Sequence, residues 1–156
     1  MGSGAMRESG MIPGEAISDT ARHSARIAGA PSPEPVNRSY RDLDVYQRLL
    51  QLHLEVHKLS LAFPPFEKYE LGSQIRRSSN SAPANVAEGW GNDHYRMYLL
   101  GVFRAIGEIQ ETQHHLQVAM HKQYLEADRH RDLHAKYEEC RRMLRGLAKR
   151  LKEANQ

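Results

Sequence analysis

A chain of 156 residues has room for one domain with a real core and too little for two. Its 22 Lys and Arg against 19 Asp and Glu leave a net charge of +3 and a pI near 9.1, a mildly basic balance that permits a polyanionic partner without requiring one. One cysteine, Cys140, excludes an intramolecular disulfide framework, and no stretch reaches the roughly 18 apolar residues of a membrane span or the roughly 7–15 of a secretory signal.

Residues 1–38 carry Gly, Ser, Ala and the run PSPEP at 31–35, and in them Arg7, Arg22, Arg26 and Arg38 offset Glu8, Glu15, Asp19 and Glu34. With little apolar periodicity they read as a flexible tail, which leaves the whole net charge on a domain at 39–156. The opening MGSGAM has the form of a cloning remnant, with Met6 and Met11 as alternative starts. A reducing compartment suits the lone thiol, so the expected location is the cytoplasm.

From Arg41 the apolar spacing becomes helical. Val45, Leu49, Leu52, Val56, Leu59 and Phe63 step by 4, 3, 4, 3, 4 and predict a first helix, with Asp42 and Asp44 at its positive end and Pro64-Pro65 stopping it after Phe63. A second helix is expected from about Glu67 to Glu88, with Leu71, Ile75, Ser78, Ala82 and Val86 inward and Gly89 and Gly91 as terminators. Asn92 or Asp93 can cap a third, about Asp93 to Lys122, whose seam is Tyr95, Leu99, Val102, Ile106, Ile109, Gln113, Leu116 and Met120. The fourth, about Ala127 to Glu153, repeats the pattern with Leu133, Tyr137, Cys140, Leu144, Leu147 and Leu151. Strict spacing in the last two seams favours shallow crossings in a left-handed bundle, and no strand-like alternation competes. The fold class is therefore all-α, an antiparallel up-down four-helix bundle.

The second helix is unusual in composition. Pro83 would cost about 3 kcal/mol in an ordinary helix interior. Ser78, Ser79 and Ser81 can satisfy backbone groups that it frees, which predicts a kinked helix rather than a break. Ser78, Ala82 and Ala87 leave space for a neighbouring backbone.

The ordered set Leu71, Gln74-Ile75-Arg76-Arg77, small residues, Pro83, Asn85-Val86 and Ala87-Glu88-Gly89, preceded by FPPFEKYEL and followed by Glu108-Ile109, carries a family signature over roughly residues 41–151. It resembles a bacterial family that includes proteins encoded within intervening sequences of 23S rRNA genes and the related accessory proteins of diversity-generating retroelements. Two positions depart from that pattern: Gly91-Asn92 stands where a basic residue is usual after the glycine, and Arg104-Ala105 where a Gly-Ser pair is usual. The resemblance implies a four-helix bundle that assembles as a ring-shaped homo-pentamer, performs no catalysis, and engages RNA, DNA, a reverse transcriptase or the ribosome. Gln74, Arg76, Arg77, Pro83, Asn85, Glu88 and Gly89 then form an oligomer or packing motif. Arg77 and Glu88 return to one helix face but lie about 16 Å apart along the axis, so each must pair, if it pairs, with a neighbouring helix or subunit.

Between Arg141 and Lys152 stand Arg141, Arg142, Arg145, Lys149, Arg150 and Lys152, without one acidic residue. Arg141, Arg145, Lys149 and Lys152 share a stripe facing away from the apolar seam, the placement needed to track phosphates. Favourable charge at a helix C-terminus is the alternative reading. No aromatic platform interleaves with these residues in the sequence, so sequence-specific recognition is not expected. A structural oligomer without nucleic-acid binding stays open.

His53/His57 and His130/His134 have the i, i+4 spacing of metal ligands, and Glu111-Thr112-Gln113-His114 has the Glu-x-x-His form. A di-iron bundle needs that motif on two helices, with further inward glutamates, so these read as surface histidines and no metal or cofactor is expected. Cys140 lies in the apolar seam, where a thiol is a poor nucleophile, and no phosphate loop or nucleophile-base order appears. The chain reads as a binding or accessory protein and not as an enzyme.

Overall fold

The computed structural model describes residues 39–156, and the expected tail over 1–38 lies outside them. Ser39 opens a short 3-10 turn at Tyr40–Asp42: its hydroxyl accepts from the Arg41 N–H at 3.3 Å, and the Asp42 carboxylate accepts from the Ser39 N–H at 3.0 Å. Four long helices follow: α1 (Asp44–Ser60), α2 (Leu71–Trp90), α3 (Tyr95–His121) and α4 (Ala127–Glu153). The described residues contain no strand. Each helix packs on its neighbours in sequence and α4 returns to α1, so one core lies among all four.

The seams match the spacing closely. Val45, Leu49, Leu52 and Val56 on α1, Leu71, Ile75, Ser78, Ala82 and Val86 on α2, Val102, Ile106, Ile109 and Leu116 on α3, and Leu133, Tyr137, Cys140, Leu144 and Leu147 on α4 are all buried. Leu59, Leu99, Met120 and Leu151 reach the core only partly. Tyr95 departs from the expectation at 37% exposed, at the first residue of α3.

Three boundaries differ from the sequence reading. α1 ends at Ser60, and single turns at Leu61 to Phe63 carry the chain on until the Phe63 ring lies 5.5 Å from that of Tyr124. α2 begins at Leu71 and not at Glu67, since Pro65–Glu67 forms a 3-10 turn whose fixed proline angle aims Glu67 inward. α3 begins at Tyr95 after an extended His94, with no side-chain cap from Asn92 or Asp93. Asn92 instead donates to the Glu88 carbonyl at 2.8 Å, closing α2.

α2 runs through Pro83 without interruption. The serine hydroxyls do not serve the carbonyl that Pro83 leaves without its N–H partner: Ser78 donates to Ile75 and Ser79 to Arg76, each to a carbonyl three residues back. The main feature of α2 is its close approach to α3. A Cβ added at Gly101 would stand 2.7 Å from the Asn85 carbonyl oxygen and 2.9 Å from the Gly89 Cα, so the two backbones meet where neither helix carries a side chain. Farther along, Thr112 donates to Ser78 at 2.8 Å in the buried interface.

Candidate nucleic-acid interface

Helix α4 sorts its cations by geometry. Its apolar seam points into the bundle and leaves the six basic residues between 141 and 152 on its flanks and back. Arg141 is already committed, since its guanidinium holds the Glu138 carboxylate at 2.6 and 3.2 Å and keeps that acid below its ordinary range. Lys149 is 3.8 Å from Glu153, a loose contact between exposed groups. Lys152 lies over the Phe103 ring of α3, its Nζ 5.3 Å from the ring centroid. Arg142, Arg145 and Arg150 are exposed, and among the described residues their side chains make no hydrogen bond or ion pair. Of the four residues Arg141, Arg145, Lys149 and Lys152, the last three are exposed and Arg141 is the member already neutralised.

The α2 motif has a different fate. Arg76 donates to the Ser60 hydroxyl at 3.0 Å and to the Lys68 carbonyl at 2.7 Å, pinning the α1–α2 loop. Arg77 pairs with Glu111 of α3, so the neighbouring helix is its partner and not Glu88 of its own helix. Asn85 donates to the Ser81 carbonyl at 2.8 Å while its own carbonyl meets Gly101. Pro83 is buried, and Gly89 forms the crossing. Gln74 and Glu88 are exposed.

Among the described residues no group of three or more His, Cys, Asp or Glu is placed to hold a metal ion. The His53 and His57 rings are 6.0 Å apart, and His53 Nδ1 is 2.9 Å from the Ser79 hydroxyl. Burial, followed by the neighbouring His57, pushes the His53 pKa down. Glu111 of the Glu-x-x-His stretch is occupied by Arg77 and His115. Cys140 is 1% exposed, and burial raises its thiol to about 11. Three polar atoms are buried without a partner among the described residues: the hydroxyls of Tyr98 and Tyr137 and one Glu108 oxygen.

Two residues escaped the sequence reading. Glu67, 3% exposed, accepts from the Leu71 N–H at 3.3 Å, from Lys122 Nζ at 2.5 Å and from the Tyr124 hydroxyl at 3.2 Å. The Lys122 hydrogen bond is the main reason its pKa falls. It thereby ties the α1–α2 loop to the α3–α4 turn, and the signal in the sequence was a glutamate two residues after Pro64-Pro65. The second is Phe103, which lies off the α3 seam and is 46% exposed beside Lys152.

No helix among the described residues is long and apolar enough to cross a membrane. A search of curated proteins finds no match. A crystal structure of a protein of unknown function from the S23 ribosomal protein family of Bacteroides thetaiotaomicron VPI-5482 is similar to this chain at a TM-score of 0.63 and 20% identity. The match covers 67% of this chain and 95% of that one, a likeness of fold. The family model described as 23S rRNA-intervening sequence protein matches residues 41–146, which include all of α1 to α3 and most of α4. Neither description names a catalytic activity. On the extent of that match, the chain belongs to the 23S rRNA-intervening sequence protein family.

Proposed function

We propose that this chain is a non-enzymatic, self-assembling binding protein of the cytoplasm that engages RNA or DNA through the basic face of α4. The observation that carries the reading is the set of free cations Arg142, Arg145 and Arg150, exposed and unpaired among the described residues on a helix segment without acids. Charges already neutralised in the chain contribute little to phosphate binding, whereas unpaired ones release counterions from the polyanion. The rRNA-linked family supports an RNA-related role.

The bundle we infer is antiparallel and up-down. Arg77 meets Glu111 while Gly89 meets Gly101, so the late part of α2 faces the early part of α3. Assembly into a pentameric ring follows from the family resemblance, and the exposed apolar residues Met97 and Leu100 on α3 support self-association. Because Arg76, Arg77 and Asn85 bond within the chain and Gln74 accepts from Arg77 at 3.5 Å, the exposed Glu88 is the motif residue left for a neighbouring copy. In such an assembly the α4 faces repeat, and the ribosome or a reverse transcriptase is a partner through the nucleic acid that it carries.

The test is a titration of RNA and DNA against the protein over a range of salt. Affinity should fall steeply with salt, and Arg142→Glu with Arg145→Glu should abolish binding at moderate salt while leaving helicity and oligomeric mass unchanged. Binding that ignores salt, or that survives the double reversal, sinks the reading and leaves a purely structural oligomer.

A further inference from the structure

Phe103 is a large apolar side chain at the edge of a cationic surface. It is 46% exposed on α3, and Lys152 of α4 stands over its ring. The α3–α4 flank is fixed farther along by Gln113, which reaches His134 at 3.3 Å and Glu138 at 3.1 Å. Arg145, Lys149 and Lys152 follow Glu138 by 7, 11 and 14 residues, spacings that return to the same helix face. Arg145, Lys149 and Lys152 therefore line the α3–α4 flank, and the aromatic ring that residues 141–152 lack is supplied by the neighbouring helix. A half-exposed ring gains little from lying in water, but it offers one π-face to a planar group while adjacent cations hold the phosphates on either side.

We propose that Phe103, with Lys152 over its ring and Lys149 and Arg145 farther along the same face of α4, is a stacking platform for an unpaired nucleobase, so that this surface takes single-stranded nucleic acid in preference to duplex. The inference rests on the nucleic-acid reading of α4. A duplex keeps its bases stacked inside and meets only the cations. A single strand meets the cations and the ring. Selectivity for strand state follows without hydrogen-bond readout of sequence.

The experiment measures the affinity of the full chain for a labelled oligouridine strand and for a duplex of equal length at one low salt concentration. The wild type should favour the single strand. Phe103→Ala should weaken the single strand roughly tenfold, leave the duplex within about twofold, and leave the salt slope unchanged, while Phe103→Trp restores the wild-type preference. An unchanged single-strand affinity for Phe103→Ala, or an equal loss for both ligands, overturns the platform but leaves the α4 reading intact. So does a drop in sedimentation mass for Phe103→Ala, which would assign the ring to contact with a second copy. A wild type that binds neither ligand overturns both.

Discussion

The two seams on opposite sides of the bundle are built on different principles. Where α2 meets α3 the backbones touch through Gly89 and Gly101, and the buried contact continues through Ser78 and Thr112. Where α1 meets α4, a surface groove of about 250 Å³ remains, lined by Gln47, Arg48, Gln51, Leu52, Glu55, Lys136, Glu139 and Cys140. That groove is bridged by Arg48 to Glu139 at 2.9 Å and Lys136 to Glu55 at 3.3 Å, and Arg129 reaches Glu55 at 2.8 Å from farther along the same seam. Ion pairs between groups as exposed as these contribute little, whereas a close-packed backbone crossing cannot accept one added methyl without moving. Stability should therefore concentrate at the first seam and local opening at the second.

The sharpest way to break this contrast is Gly101→Ala. Alanine improves helix propensity, yet its Cβ would stand 2.7 Å from a backbone oxygen that no side-chain rotation can move, so a net loss of about 3 kcal/mol in denaturant titration is expected. A neutral outcome would mean that α2 and α3 can part cheaply. Thr112→Val keeps the shape but removes the 2.8 Å bond to Ser78, whose hydroxyl keeps only its 3.4 Å bond to the Ile75 carbonyl, for an expected loss of about 1 kcal/mol. Gly107→Ala is the matched control on α3: its Cβ meets nothing within 4 Å, so helix propensity alone acts and the variant should gain about 0.5–1 kcal/mol.

Acid tests the end of the bundle that both seams share. The Glu67 pKa is lowered in the fold, chiefly by the Lys122 hydrogen bond, so its contribution is present above the unfolded value of 4.5 and is lost as pH falls through the folded value. The melting temperature should drop on acidification below that range, and Glu67→Gln should be less stable at neutral pH with a shallower acid slope. An identical acid slope in the variant would remove Glu67 from the account.

How legible these seams were in the sequence follows from their physics. The core stripes of all four helices could be read because burial repeats every three or four residues, and Leu49, Ile75, Ile109 and Leu144 all lie fully inside. Gly101 could not be read as a crossing, since closeness depends on which residue of α2 lies opposite and spacing within α3 does not encode that. The same holds for Phe103, which became part of the basic face only when Lys152, 49 positions later, was placed beside it. The helix expected from about Glu67 begins at Leu71, and the inward turn of Glu67 could not be read because it depends on Lys122 and Tyr124 from just beyond the far end of α3. The paired arginines of α2 drew attention as assembly contacts, yet Arg76 and Arg77 found partners inside the chain.

The smallest equilibrium effect belongs to the α1–α4 seam. Arg48→Ala removes an ion pair whose side chains are 52% and 45% exposed, so the change in global stability should stay within about 0.5 kcal/mol. Its local effect should be larger, because Cys140 lines the groove that Arg48 and Glu139 bridge. In the closed state the thiol is 1% exposed and its pKa is raised to about 11, so at mildly alkaline pH a thiol reagent reacts only through opened molecules. Labelling of Cys140 should accelerate in Arg48→Ala and, for the wild type, in high salt, at denaturant concentrations too low to unfold the chain. Gly107→Ala, which acts on α3, should leave that rate unchanged under the same conditions. If instead labelling follows global stability in every variant, α1 and α4 part only when the whole bundle unfolds, and the two seams form one cooperative unit.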